Sequence, residues 1–348
     1  MTLPAINQKF LVEFLTSLLN TASPTGFAEM GIDFTRQALA AFPELDLALT
    51  RKGALLATLP GQRQDQPRAL TAHVDTLGAM VKEIKSNGRL KLTQLGGYSW
   101  NAIEGEGSTV YTSEGKRIRG SILLEKASAH VFGAEVSESK RDEKTLEVRL
   151  DIRTTSPEET RAAGIQVGDF VCFDPRVEVV NGFIRSRHLD DKACVAVLVT
   201  AIKALHEAGL KPLQKSYLLI SNYEEVGHGA AAGIPAEVSE LLVIDMAAVG
   251  IGQTSDEFHA TLCVKDSHGP YDYGMNQRLR QLAAAENIPH QVDIYPYYGS
   301  DGGAFWRAGG DAAEALIGPG VDASHNYERT HLDALVATTQ WVLAYLLN

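Results

Sequence analysis

The sequence predicts an α/β fold in which a domain built from both ends of the chain is interrupted by a β-rich insert. Three observations predict it. After Ser186, strand-type and helix-type segments alternate, as in a sheet covered by helices. From about Leu77 to Gly182, short β-type runs are broken by turn residues and no long helical period appears. And 348 residues are too many for one core, yet suit about two domains. The expected boundaries are 1–76 with 183–348 for the α/β domain and 77–182 for the insert.

Phe10, Leu11, Phe14, Leu15, Leu18 and Leu19 recur at helical spacing, so 6–20 is predicted as a helix, stopped by Ser23-Pro24-Thr25-Gly26. A second helix is expected over 27–42. Three strand-like runs follow at 45–50, 54–59 and 68–72, the last leading into His73-Val74-Asp75. In the insert, 90–95, 118–124, 146–152 and 169–173 read as strands, with a turn or two of helix near 157–163. Beyond it, helices are expected over 191–208, 273–287 and 332–347, and strands over 217–222, 241–245, 291–295 and 312–317.

Composition narrows the function. Asp and Glu outnumber Lys and Arg by 43 to 32, a net charge of -11 that repels a phosphate backbone and argues against nucleic-acid binding. No stretch reaches the ~18 apolar residues of a membrane span. Met1 to Phe10 lacks the basic and apolar regions of a signal peptide. Cys172, Cys194 and Cys263 are odd in number and widely spaced, which suits reduced thiols. A cytoplasmic location is expected.

Polar residues gather at the ends of predicted strands and the starts of helices, where open α/β sheets bind ligands. In extended His73-Val74-Asp75, residues two apart point the same way, so Asp75 can reach the space around a metal-bound His73. His188-Leu189-Asp190-Asp191 opens a helix; ordinary N-capping explains one Asp and leaves the other over. Glu224 and Glu225 are adjacent carboxylates at a strand end, which repel unless a cation lies beside them. One can ligate a metal while the other takes a proton from water. Asp245 ends an apolar strand, where burial alone is costly. Either His325 or His331 can supply a last ligand. Two divalent cations about 3.5–4 Å apart, sharing one carboxylate, require such a set.

The segments AHVD at 72–75, LDDK at 189–192, EEVG at 224–227 and VID at 243–245 resemble metallopeptidase family 42, the tetrahedral and glutamyl aminopeptidases also described as cellulase M-like. The resemblance covers nearly the whole chain. It implies a three-layer α/β/α zinc-peptidase-like domain and a small barrel-like insert that dimerises. It implies that His73, Asp190 and Asp245 hold one metal and Asp190, Glu225 and His325 the other. Zinc or cobalt is the implied metal, and mixed N/O ligation agrees with either. Asp75 would orient His73, Glu224 would act as general base, and Asp301 would sit near the substrate. The implied activity is aminopeptidase cleavage of short peptides by a self-associating enzyme, a dimer or a dodecamer.

One segment departs from the family pattern. Where the family commonly carries His-Ser-Pro-x-Glu, this chain has His325-Asn326-Tyr327-Glu328-Arg329-Thr330-His331, which leaves His331 as a rival ligand. That form is similar to members associated with N-acetylglutaminylglutamine amide osmolyte clusters. The rival functions are a two-metal deacylase or carboxypeptidase acting on a small N-acyl or dipeptide-like metabolite, and a non-catalytic assembly protein.

Overall fold

In the computed structural model, which describes residues 3–348, the apolar stripe of the first helix is buried as its spacing demands: Leu11, Phe14, Leu15, Leu18 and Leu19 all face inward from Gln8–Leu19. They pack with Val195, Leu198 and Ile202 of Leu189–Ala208 and with Trp341, Val342 and Tyr345 of the last helix, Leu332–Leu347. These helices cover one face of a sheet whose centre is parallel. Arg63–His73 lies between Gln214–Ser221 and Glu240–Ile244, and Ala313–Asp322 runs parallel on the far side of Glu240–Ile244.

Alternation along these strands builds two cores. Leu70, Ala72, Leu218, Ile220, Leu242 and Ile244 join the cluster under the helices just named. Their neighbours Ala69, Tyr217, Leu219, Leu241 and Val243 join a second cluster, with Phe305 of the short helix Asp301–Arg307. Strand period two thus sends successive side chains to opposite layers, giving three layers in all. Trp341 is fully buried and donates its indole N–H to the Leu279 carbonyl at 3.0 Å. Trp341→Ala is expected to cost ~3–5 kcal/mol, read as a lower urea midpoint; an unchanged midpoint contradicts this packing.

The chain divides into two compact units: residues up to Asp75 with Arg176–Asn348, and Thr76–Pro175. Residues 176–182, expected in the insert, belong with the larger unit. Glu178–Val180 pairs antiparallel with Phe183–Ser186, which in turn pairs with Glu328–His331. The smaller unit is a closed barrel of six strands, Gly78–Ile84, Leu90–Leu95, Leu146–Leu150, Arg117–Leu124, Gly107–Tyr111 and Phe170–Phe173. Val81, Leu92, Val110, Ile122, Val148 and Val171 fill it. Among the described residues, no helix is long and apolar enough to cross a membrane.

Candidate metal centre

Parallel register brings the polar residues together. His73 ends its strand opposite Ser221, so the loop after Ser221 starts beside it. Tyr223 there has φ 63, a left-handed conformation that turns the chain sharply and sets Glu224 and Glu225 back over the strand ends. Asp245 follows the neighbouring strand Glu240–Ile244 directly. Asp190 precedes the regular part of its helix, since Asp190 and Asp191 have non-helical backbone angles. His325, with φ 62, lies in the loop after Ala313–Asp322.

Asp190 stands in the middle. One of its oxygens is 3.1 Å from His73 Nε2 and the other 3.3 Å from His325 Nε2. Glu225 Oε2 is 3.7 Å from His325 Nε2, and Glu224 Oε2 is 3.6 Å from His73 Nε2. Two groups of donor atoms result, His73 with Asp190 and Asp245, and Asp190 with Glu225 and His325. Within each, the atoms lie within 4.8 Å of one another.

The electrostatics fit divalent cations. Burial pushes the Glu225 carboxyl up to about 8 and that of Asp245 to about 7, with Asp190 adding repulsion in both cases. Burial also raises Glu224 and Asp191 well above their ordinary values. Burial would lower His73, yet Asp190, Glu224 and Asp191 raise it well above normal. Asp190 would likewise be raised by burial, but His325 and His73 hold it far below the usual carboxylate range. So many buried carboxylates facing two imidazoles need positive charge between them. Glu225 Oε1 is buried without a hydrogen-bond partner, which is the state of a ligand atom awaiting a cation.

Two of the expected residues, Asp75 and Asp301, act differently in detail. His73 Nδ1 lies 2.9 Å from the backbone carbonyl of Asp75 and 3.8 Å from its carboxylate. A carbonyl only accepts, so Nδ1 carries a hydrogen, and Nε2, which faces the Asp190 carboxylate, is the nitrogen that would offer a lone pair to a metal once its own proton is displaced. The orienting contact expected of the Asp75 side chain is thus made by its main chain. The carboxylate instead accepts from Thr25 Oγ1 at 2.6 Å, from Glu224 N at 3.2 Å and from Glu225 N at 3.4 Å. It fixes the loop that carries both glutamates.

Asp301, expected near the substrate, is 2% exposed and does not line the cavity. Its carboxylate accepts from Thr71 Oγ1, Ser221 Oγ and Ala230 N, so both oxygens are engaged within the protein. It ties two strand ends to the loop at Gly229, where a Cβ would stand 1.6 Å from an Asp301 oxygen. His331 is not in the cluster. It accepts from Asp333 N, packs between Phe183 and Phe258, and caps the last helix. Of these two histidines, His325 is the one beside Asp190.

Two contributors were not read from the sequence. Glu328, 1% exposed, accepts from Asp190 N at 3.0 Å and from His325 N at 2.9 Å, so one carboxylate positions two donor residues. Lys52 donates from a hairpin to the carbonyls of His228 and Gly229, bracing the same loop from behind. The bonds from Asp190 N to Glu328 and from Lys52 to the loop do not follow from spacing, since those partners lie in distant segments, whereas His325 N is three residues from Glu328. The cluster opens on a cavity of about 450 Å³, whose other wall includes Met246, His268, Tyr297, Tyr298 and Arg307.

Comparison with known proteins shows what the chain is similar to. The chain is 44% identical to the Bacillus subtilis aminopeptidase-like protein YhfE over 336 residues, covering 96% of each. An aminopeptidase structure from Desulfurococcus kamchatkensis matches at TM-score 0.87 with 21% identity, over 97% of this chain and 95% of that one. The Pyrococcus horikoshii TET1 peptidase, which can assemble into a tetrahedron or an octahedral shell, matches at 0.83 with 21% identity, over 97% and 99%. The family model for M42 glutamyl aminopeptidases matches residues 53–340, and the chain belongs to that family.

Proposed function

We propose that this aminopeptidase releases N-terminal residues from short peptides with the help of two divalent cations, zinc or cobalt. The observation that carries the reading is Asp190, which turns one oxygen to each of two imidazoles and so belongs to both donor groups. His73 and Asp245 complete one group, Glu225 and His325 the other. Cations bound there would polarise a scissile carbonyl and make a water more acidic. Glu224, beside His73 but outside both groups, takes the proton of that water and passes it to the departing nitrogen. Asp75 holds the Glu224 backbone while this happens.

The test is a panel of aminoacyl-anilides assayed with apo protein plus zinc, cobalt or manganese. Turnover of at least one with one metal supports the reading. Inactivity on all of them, together with release from acyl-aminoacyl or C-terminal substrates, replaces it with a deacylase or carboxypeptidase. The barrel unit is proposed to mediate self-association, as a dimer or a dodecamer, and light scattering of the purified chain decides. The three free cysteines, all buried, accord with a cytoplasmic protein.

Glu328 gives a prediction of its own. Glu328→Ala leaves the N–H groups of Asp190 and His325 without their acceptor. Metal affinity is expected to fall ~10–100-fold, as when an outer-shell partner of a ligand is lost. Isothermal titration with zinc checks it, and unchanged affinity would show that the two backbones are held without Glu328.

A further inference from the structure

Alternation along Ala313–Asp322 sends Leu316 into the second core beside Phe305, and Glu314, two residues earlier, to the same face. A charged residue type thereby occupies an apolar position. Glu314 is 0% exposed, and both of its carboxyl oxygens are buried without a hydrogen-bond partner. Its side chain fills the space of a missing one: a Cβ on Gly302 would stand 1.3 Å from Glu314 Oε1. Gly302 belongs to the first turn of the short helix Asp301–Arg307. We propose that Glu314 is a positioning residue for the reaction, acting as an uncharged carboxylic acid packed against the start of that helix. The positioning role rests on the aminopeptidase reading, whereas the uncharged state of the carboxyl does not.

The ionisable groups around Glu314 supply no counter-charge. Asp266, which ends the strand Ala260–Asp266, and Asp301 on the helix both repel a further negative charge. Tyr271 spends its hydroxyl hydrogen on Asp266 Oδ2 at 2.9 Å. Asp272 gives its backbone N–H to the Glu314 carbonyl at 2.8 Å, while its carboxylate accepts from Met275 N and caps the following helix. Cys263, on the strand that Asp266 ends, is kept neutral by burial, which pushes its thiol up to about 12. The cationic side chains stand at the next helix position instead. A Cβ on Gly303 would lie 3.2 Å from His268 Nδ1 and 3.3 Å from Arg307 Nη1. A buried carboxylate without a partner is so costly that the group keeps its proton. Burial, with repulsion from Asp266 and Asp301, pushes Glu314 up to about 8.

Neutrality matters to the site through Asp301. Its carboxylate accepts from Thr71 Oγ1, two residues before His73, and from Ser221 Oγ, opposite His73 in the sheet. It also accepts from Ala230 N, in the loop that follows Glu224 and Glu225. A charge on Glu314 would repel Asp301 from these three donors and draw water to the helix start. The strand ends and the loop would then lose their common tie.

The experiment compares metal-loaded wild type with Glu314→Gln across pH, and with the equally uncharged Glu314→Met should the first variant fail to fold. A carboxyl raised in the folded state stabilises it below the ordinary glutamate range and loses that contribution as pH rises towards 8. The Tm of the variant minus that of wild type is therefore expected to grow from about pH 5 to about pH 8 and to level off above it. A difference that is the same at every pH overturns the uncharged carboxyl. Turnover of an aminoacyl-anilide reports the positioning role. The ratio of kcat/KM, variant over wild type, is expected to rise at least ~5-fold from about pH 7 to about pH 9. A constant ratio means that Glu314 does not act on the site, and overturns the proposal. Should wild type cleave no anilide, the aminopeptidase reading fails and hydrogen exchange at the Ala230 amide decides instead. Its protection, corrected for the intrinsic rate, is expected to fall at least ~5-fold in wild type over the same range and to hold in the variant. Equal protection in both proteins removes Glu314 from that role.

Discussion

Glu224→Gln is expected to lower kcat at least ~100-fold while the protein still folds and binds its metals. Gln has the shape of Glu and keeps the backbone bond from residue 224 to Asp75. What it loses is the capacity to accept a proton. Glu224 Oε2 lies within 3.6 Å of His73 Nε2, close to the reacting position, yet neither donor group includes it. A ligand and a base should therefore fail differently. Substituting Glu225, the proposed ligand, should lower metal content along with rate, whereas Glu224→Gln should leave content unchanged and KM near its ordinary value. Elemental analysis beside steady-state kinetics separates the two. Normal turnover by Glu224→Gln would remove Glu224 from the mechanism, and loss of metal would reassign it as a ligand.

Much of the fold is legible because periodicity is a local property. The terminal helices and the central strands each carry a continuous apolar pattern, and their expected spans lie within a few residues of Gln8–Leu19, Leu332–Leu347 and Glu240–Ile244. Reading is weaker where a residue answers to something distant. The strand expected over 312–317 runs from Ala313 to Asp322, because Gly318-Pro319-Gly320 looks like a turn. Those glycines are there for close approach: a Cβ on Gly318 would stand 1.7 Å from the Asp245 carbonyl, and one on Gly320 1.8 Å from that of Asp256. The strand Ala260–Asp266 was not read at all, and it is held by antiparallel pairing with that same stretch.

The candidate site follows the same division. His73, Asp190, Glu225, Asp245 and His325 stand at element ends, where residue type and position together are informative, and the structure brings them together in two groups of three that share Asp190. Asp301 shares that address and those chemical groups but is turned inward, onto Thr71 and Ser221. An N-terminal position in a helix does not reveal which way its carboxylate points. Glu328 shows the converse, a carboxylate whose partners are main-chain N–H groups and so leave no mark on neighbouring side chains.

Asp190→Asn is expected to reduce bound metal from two ions per chain to one at most, and to lower kcat/KM by about a thousandfold. The substitution keeps volume and one carbonyl oxygen, so simple collapse is not the cause. That single oxygen can serve the side of His73 or the side of His325, while the carboxylate serves both at 3.1 and 3.3 Å. Stability supplies an independent readout. Metal that binds only the folded state raises the unfolding free energy by roughly 4 kcal/mol at a thousand times its Kd. Wild type, whose apo form packs Glu225, Asp245 and Glu224 against one another, should therefore show a clear rise in Tm on adding zinc. In Asp190→Asn most of that rise should vanish. Removing a negative charge also relieves Glu225 and Asp245, both of which Asp190 pushes upward. Against that gain stands the loss of an anionic partner for His73 and His325, so the apo variant should lie near wild type in Tm. A variant that still binds two ions with an undiminished Tm rise would mean that Asp190 is not shared between them.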